Sequence, residues 1–317
     1  MINYSIIIPH YNIPDLLGRC LRSIPERDDV QVIVVDDNSP GNDHYLETYP
    51  ELQRKNVEFY PTKDGLGAGH VRNIGLSHAK GKWLVFSDSD DFFVEDFAEI
   101  LDKYVNDPHD IIYFNIKSCD CYDITKQYPA DKLRVYKETG NDIYLRICYT
   151  EPWGKFIKRN LVTDNNITFQ ETKAHNDLLF AVKTGLQAKT VVAVDHPLYW
   201  YVIREGSLGH NKGAEPFAKV CDRMVAWNST QKYLERNGIK TKFYLPAWPL
   251  IRATKRNHHL FFSLMTFAKK NDISILRILA SIIKYLSSRI FTGNDNIRFS
   301  NMLAENSVKS YAKKTMH

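Results

Sequence analysis

The sequence predicts an α/β fold: a mainly parallel sheet sandwiched by helices, followed by a helical, basic C-terminal region. Three observations predict it. Continuously apolar, β-branched runs alternate with segments of helical spacing through residue 115. Three of those runs end in polar clusters: Pro9-His10-Tyr11-Asn12, Asp36-Asp37-Asn38-Ser39 and Asp88-Ser89-Asp90-Asp91. Beyond about residue 210 the strand-like runs give way to helical periodicity and positive charge. Strands buried on both faces read as unbroken apolar runs, and alternation with helices marks a parallel sheet.

Ser5–Pro9 reads as a first strand, and Asp15–Ser23 as a helix carrying Leu16, Leu17, Cys20 and Leu21 on one face. Val30–Val35 is a second strand, Val57–Tyr60 a third, and His70–Ala79 a helix. Lys82–Ser87 is a fourth strand, with a helix over Val94–Val105 and a further strand at Asp110–Asn115. In such sheets ligands bind outside the carboxyl ends of the strands. The three polar clusters should therefore converge on one edge.

The chemistry of the third cluster is the most specific. Asp88, Asp90 and Asp91 place three carboxylates in four positions directly after Trp83-Leu84-Val85-Phe86. Like charges at a strand end repel unless a cation or a donor-rich ligand neutralises them. Mg²⁺ and Mn²⁺ take one or two carboxylates together with substrate phosphates. Taken alone, an acidic turn capping the next helix explains the motif as well.

Composition narrows the field. The 317 residues suffice for one large domain, or one domain and an appendage. Cys20, Cys119, Cys121, Cys148 and Cys221 are odd in number and scattered, which points to a reducing compartment and away from a disulfide framework or a zinc site. Met1-Ile2-Asn3-Tyr4 offers no basic start, so no signal peptide is expected, and no apolar run reaches the length of a membrane span. The net charge of +5 is uneven. Residues 251–317 hold twelve Lys and Arg against three Asp and Glu, or +9; residues 1–250 hold thirty against thirty-four, or −4. The basic tail lacks the marks of a nucleic-acid module. A cytoplasmic protein, peripheral on the inner face of the membrane, is the expectation.

The motif series Ser5–Asn12, Val34–Ser39, Gly69-His70-Val71-Arg72-Asn73-Ile74-Gly75 and Ser87–Asp91 resembles that of the family-2 glycosyltransferases, inverting nucleotide-sugar-dependent enzymes of the GT-A fold. The resemblance continues through Pro152–Arg159 and His175–Phe180 to Tyr199–Ser207. It implies a catalytic domain over residues 1–210 and a separate helical region over 211–317. It further implies that Pro9, Tyr11 and Asp37 line the base pocket, with Asn12 and Asp36 nearby. An aromatic ring at position 11 can stack on a base, and a carboxylate at 37 can accept from a uracil imide N–H. Arg72 and Asn73 follow the glycine-rich Gly65–Gly69, and a guanidinium binds phosphate or base oxygens as a fork. Asp88 and Ser89 are assigned to the ribose side, and Asp90 with Asp88 to a Mn²⁺ or Mg²⁺ ion.

Inverting transfer needs a base for the attacking hydroxyl. The family carries it second in a Glu-Asp pair; here the pair is Asn176-Asp177, so Asp177 is the candidate and its acidic neighbour is missing. Loss of that neighbour is expected to leave the Asp177 pKa lower. Helix-start stabilisation is the other reading of Asp177. Trp153 and Lys155, with His175 and Asn176, fall where the family builds its acceptor side; a core tryptophan is the competing reading of Trp153. Arg204 and Ser207 are assigned to the diphosphate.

In the C-terminal region Pro216–Arg236, Leu250–Lys270 and Ile273–Phe291 have helical spacing. The last carries Leu276, Leu279, Ile283, Leu286 and Ile290 on one stripe beside Arg277, Lys284 and Arg289. Such a helix fits an anionic membrane surface, its own domain or a second subunit as in a homodimer. The function expected is sugar transfer from a UDP-sugar to a glycan or lipid-linked acceptor of a bacterial surface polysaccharide. The alternatives are a sugar nucleotidyltransferase, which would need a basic glycine-rich loop right after the first strand, and a non-catalytic sugar-binding protein.

Overall fold

The computed structural model describes residues 1–204, 216–239, 250–251 and 259–292. The chain divides into two units, residues 1–171 with 180–211, and residues 172–179 with 212–317.

The first unit is organised by one sheet. Its strands are β1 (Tyr4–His10), β2 (Val30–Asp36), β3 (Val57–Pro61), β4 (Trp83–Phe86), β5 (Phe92–Phe93), β6 (Ile111–Asp120), β7 (Gln127–Tyr128), β8 (Lys155–Lys158) and β9 (Val191–Ile203). Among the described residues the order is β3-β2-β1-β4-β8-β6-β9-β5, with β7 hung on β6. β1, β2, β3 and β4 are mutually parallel, Ile7 standing beside both Ile33 and Phe86. β8 runs antiparallel between β4 and β6, and β9 returns parallel to β6.

The β-branched residues of β1 and β2 suit a pleated surface. Every residue of β2 is buried, as the unbroken apolar run requires. Truncating Ile7 to Ala at the centre of this core should cost about 2–5 kcal/mol. The helix Ala68–His78 lies hard against β1: a Cβ on Gly75 would stand 2.5 Å from Ile7 Cγ2. Only glycine permits that approach.

Boundaries differ from the sequence expectation where distant partners intervene. The helix expected from Val94 starts at Phe97, because Phe92 and Phe93 pair with Trp200 and Tyr199 of β9. The Phe93 ring stacks on Phe97 at 4.0 Å, which fixes the turn between strand and helix. The strand expected at Asp110–Asn115 runs on to Asp120 because β9 accompanies it, with a register shift around Asn115.

The second unit contains the helices Phe217–Arg236, His259–Lys270 and Ile275–Thr292. Val220, Met224, Leu264, Ala268 and Ile278 form its core. In the last helix Ile278 points inward, whereas Leu276 is 78% and Ile283 67% exposed. The expected stripe thus has solvent on its described part; the side chains of Lys284, Leu286, Arg289 and Ile290 lie outside the described residues. Among the described residues, no helix is long and apolar enough to cross a membrane.

Candidate active site

The parallel register places the ends of β1, β2 and β4 side by side, with His10 level with Asp36. At this edge a cavity of about 400 Å³ opens, lined among others by Pro9, Tyr11, Asp37, Arg72, Asp88, Ser89, Asp90 and Arg204. Tyr11 is 57% exposed at its mouth, an unusual position for a large aromatic ring and one that leaves a face for a ligand.

Asp36 does not reach the cavity. It is fully buried, and its carboxylate accepts from His10 Nδ1 (2.8 Å), Ser39 N (2.8 Å), Ser39 Oγ (2.6 Å) and Asn42 Nδ2 (2.6 Å). Burial pushes its pKa up, but these donors outweigh it and hold the carboxyl below its ordinary value. His10 Nε2 accepts from Ile13 N–H, so the ring proton sits on Nδ1 and is given to Asp36. Ser39 also accepts from Asn12 N–H at 2.7 Å, and Asn12 and Asn38 take left-handed backbone angles. The network aims the two strand ends. Asp37 is thereby left facing the cavity.

Gly67 N–H donates to both Asp37 oxygens, at 2.9 and 3.1 Å. Gly67 has φ +96°, a conformation that favours glycine and starts the following helix. Burial raises the Asp37 pKa against these backbone donors. Asn73 exchanges hydrogen bonds with the Phe169 backbone and so fastens the 169–171 segment, away from the cavity lining.

In the acidic cluster each carboxylate has its own arrangement. Asp88 receives Arg72 Nη2 at 2.5 Å, and Trp153 hydrogen-bonds it from inside. Burial and the charge of Asp90 raise the Asp88 pKa, with Arg72 opposing. Asp90 receives Arg204 Nε at 2.7 Å. Asp91 is buried and accepts Val202 N–H at 2.7 Å; burial, then Asp90 and Asp88, push its pKa well up. Asp91 therefore ties the acidic loop to β9. Tyr199, fully buried, accepts Asp88 N–H at 2.8 Å and strengthens the same tie.

Trp153 and Lys155 are inside the fold. Trp153 is stacked on Tyr199 and Tyr201, and Lys155 gives its ammonium to the carbonyls of Tyr149 (2.5 Å) and Glu151 (2.6 Å). A direct acceptor contact by Lys155 would break those two bonds.

In the second unit, Asn176 donates to Thr172 O at 3.3 Å, Arg223 meets His175 Nε2, and Asp177 is half-buried. Ser207 falls outside the described residues. The sequence reading assigned no role to Arg19, His10, Tyr199 or Tyr201. Tyr201 and Val202 line the cavity, and Arg19 Nη2 donates to the Asp90 carbonyl at 2.6 Å. Only His10, within a polar strand end, carried a local signal.

One parallel strand-end cavity thus joins an exposed ring, the Asp37 carboxylate and the Asp88 and Asp90 carboxylates set against two guanidiniums. The model of glycosyl transferase family 2 matches residues 5–170, and the chain belongs to that family. It is 29% identical over 217 residues to poly(ribitol-phosphate) beta-N-acetylglucosaminyltransferase TarS of Staphylococcus aureus, covering 65% of this chain and 36% of that protein. It is 31% identical over 216 residues to a poly(ribitol-phosphate) beta-glucosyltransferase of Bacillus spizizenii, covering 64% and 32%. The chain thus spans about a third of the length of these curated relatives. Among solved structures, S. aureus TarS 1–349 in complex with UDP-GlcNAc superposes with a TM-score of 0.59 at 21% identity, over 90% of this chain and 92% of that one. Mannosyltransferase PcManGT from Pyrobaculum calidifontis, in complex with GDP-Man and Mn²⁺, superposes at 0.50 and 16% identity, over 99% and 84%. These likenesses show the GT-A fold.

Proposed function

We propose that the protein is an inverting sugar transferase that takes a UDP-sugar and glycosylates a hydroxyl of a bacterial surface glycan, of the teichoic acid or related polysaccharide type. The observation that carries the reading is the set of functions lining one cavity: Tyr11 after β1, Asp37 after β2, and Asp88 and Asp90 after β4 with Arg72 and Arg204 hydrogen-bonded to them. Tyr11 stacks on the base and Asp37 accepts the imide N–H. Asp88 and Ser89 meet the ribose, and the two arginines meet diphosphate oxygens. An acceptor-only carboxylate matches the uracil imide N–H rather than the acceptor nitrogens of cytosine N3 or adenine N1, and the TarS complex with UDP-GlcNAc favours uracil over guanine, whose N1–H a carboxylate also accepts.

Among the described residues, no group of three or more His, Cys, Asp or Glu side chains is placed to hold a metal. Asp88 and Asp90 share one cavity, a donor set that fits a divalent ion completed by phosphate oxygens. Asp90 and Asp88 would hold it, and when bound it would act as a Lewis acid toward the departing diphosphate. The base in this reading is Asp177: its carboxylate takes the acceptor hydroxyl proton as that oxygen attacks the anomeric carbon. The bond to the diphosphate breaks, and its electrons leave on the phosphate oxygen. Residues 1–210 carry this chemistry. Residues 211–317, through the stripe of Ile275–Thr292 and the +9 charge, dock on the anionic inner face of the membrane.

Titration calorimetry with UDP, GDP and uridine tests the donor assignment. UDP should bind more tightly than GDP, and Asp37→Asn should erase that preference. Equal affinities in the native protein would remove the uracil assignment.

A further inference from the structure

Tyr201 of β9 lines the donor cavity together with Asp88, Ser89, Asp90 and Arg204. Among the described residues its phenol oxygen makes no hydrogen bond, and it is not sealed from solvent. The ring, by contrast, is fixed. It stacks on Trp153 with centroids 5.6 Å apart and planes 28° apart. Trp153 is buried, stacks in turn on the fully buried Tyr199 at 5.4 Å, and hydrogen-bonds Asp88.

The backbone places this phenol with the acidic loop rather than with the base pocket. In the sheet, β9 and β2, which leads into Asp37, lie on opposite sides of β1 and β4. Val202, next in the chain, donates its N–H to Asp91 at 2.7 Å, and Arg204, two positions further, donates Nε to Asp90 at 2.7 Å. Tyr201 thus adjoins a short stretch of chain tied twice to the acidic loop. Burial, then the charges of Asp91, Asp90 and Asp88, raise its pKa to about 12. The oxygen therefore keeps its proton at neutral pH and can donate. A free O–H beside two guanidiniums suits an anionic oxygen brought in by a ligand.

We propose that Tyr201 is a further catalytic residue, its phenol donating a hydrogen bond to a β-phosphate oxygen of the nucleotide-sugar. The β-phosphate gains negative charge as its bond to the anomeric carbon breaks, so the contact strengthens along the reaction. The proton stays on the phenol, and no group is transferred to Tyr201. The stacked aromatic wall holds the donor in place before the charge develops, and no reorientation is needed when it does. The inference rests on the transferase reading and adds a neutral donor to the two guanidiniums of that site.

The test uses the full chain with Tyr201→Phe, which removes one oxygen and keeps the ring on Trp153. Uridine, UDP and UDP-GlcNAc are titrated in turn, and UDP release in the presence of an acceptor extract is timed. Uridine affinity should stay within about twofold of native. UDP affinity should fall by about tenfold, the scale of one hydrogen bond to a charged group, and UDP-GlcNAc should lose the same factor. Turnover should fall by about 10²–10³, as for one lost oxyanion donor, so that kcat drops more than KM rises. UDP affinity and turnover both unchanged would overturn the inference. Loss confined to UDP-GlcNAc would put the phenol on the sugar, and equal loss of uridine and UDP would make its role structural; either result overturns it. Failure of the native protein to bind UDP would strike the transferase reading itself.

Discussion

Arg204 Nε lies 2.7 Å from Asp90 Oδ2, so the carboxylate proposed for the divalent ion is already neutralised by a side chain just beyond β9. Arg72 does the same for Asp88 at 2.5 Å. Carboxylates that would repel one another are thus stable without an ion, and an incoming cation with its diphosphate competes with a guanidinium. Asp90→Ala should abolish Mn²⁺-stimulated UDP binding while changing stability by no more than about 1 kcal/mol, because the pair is part-exposed. Arg204→Gln should do the opposite and strengthen Mn²⁺ binding without nucleotide. Metal-stimulated binding in Asp90→Ala, read by calorimetry, would remove Asp90 from the metal role.

The raised pKa of Asp37 gives a pH signature. An ionised carboxylate holds the imide N–H more strongly than a neutral carboxyl, so uridine affinity should fall on acidification, starting at a pH above the ordinary value of 3.8. The direction follows from the shift: burial favours the protonated form, whose neutral carbonyl oxygen is the weaker acceptor. Uridine carries no phosphate to confuse the titration. Asp37→Asn should bind weakly and show no such slope; an identical slope in that variant would assign the titration to another group.

Asp177→Asn is nearly isosteric. Turnover should fall by a factor of about 10²–10⁴, the usual scale for loss of a general base, with UDP affinity within a few-fold. If instead donor binding collapses and the bound complex turns over normally, Asp177 serves binding.

The last helix should report on the membrane. Leu276→Glu with Ile283→Glu alters two exposed positions and leaves Ile278 in the core. Cosedimentation with anionic vesicles should fall sharply in this variant, and in the native protein should weaken with salt. Equal sedimentation with neutral vesicles, or none with either, would favour a second subunit as the cover.

Much of the site was legible because its pieces are local. Pro9–Asn12, Asp36–Ser39 and Asp88–Asp91 each follow an apolar run, and parallel pairing alone brings such ends together. The return of β9 was not legible in the same way. Its pairing with β6 joins Ile111 to Val191 across 80 residues, and Asp195-His196-Pro197 interrupts its strand pattern. With it were lost Tyr199 and Tyr201, and Phe92-Phe93 as a strand. Lys155 misled for another reason: its charge argues for the surface, yet two carbonyls satisfy its ammonium in the core. Arg19 stayed hidden because on its helix it reads as an ordinary solvent-facing cation.

The central claim is that this cavity activates a UDP-sugar, and a donor panel tests it most directly. The full chain, Mn²⁺ and an acceptor extract are incubated with each nucleotide-sugar in turn, and free nucleoside diphosphate is measured beside the Asp90→Ala variant. The account predicts acceptor-dependent release of UDP from a UDP-sugar, lost in the variant. Release of pyrophosphate from a nucleoside triphosphate and a sugar phosphate, with no diphosphate from any donor, would contradict it.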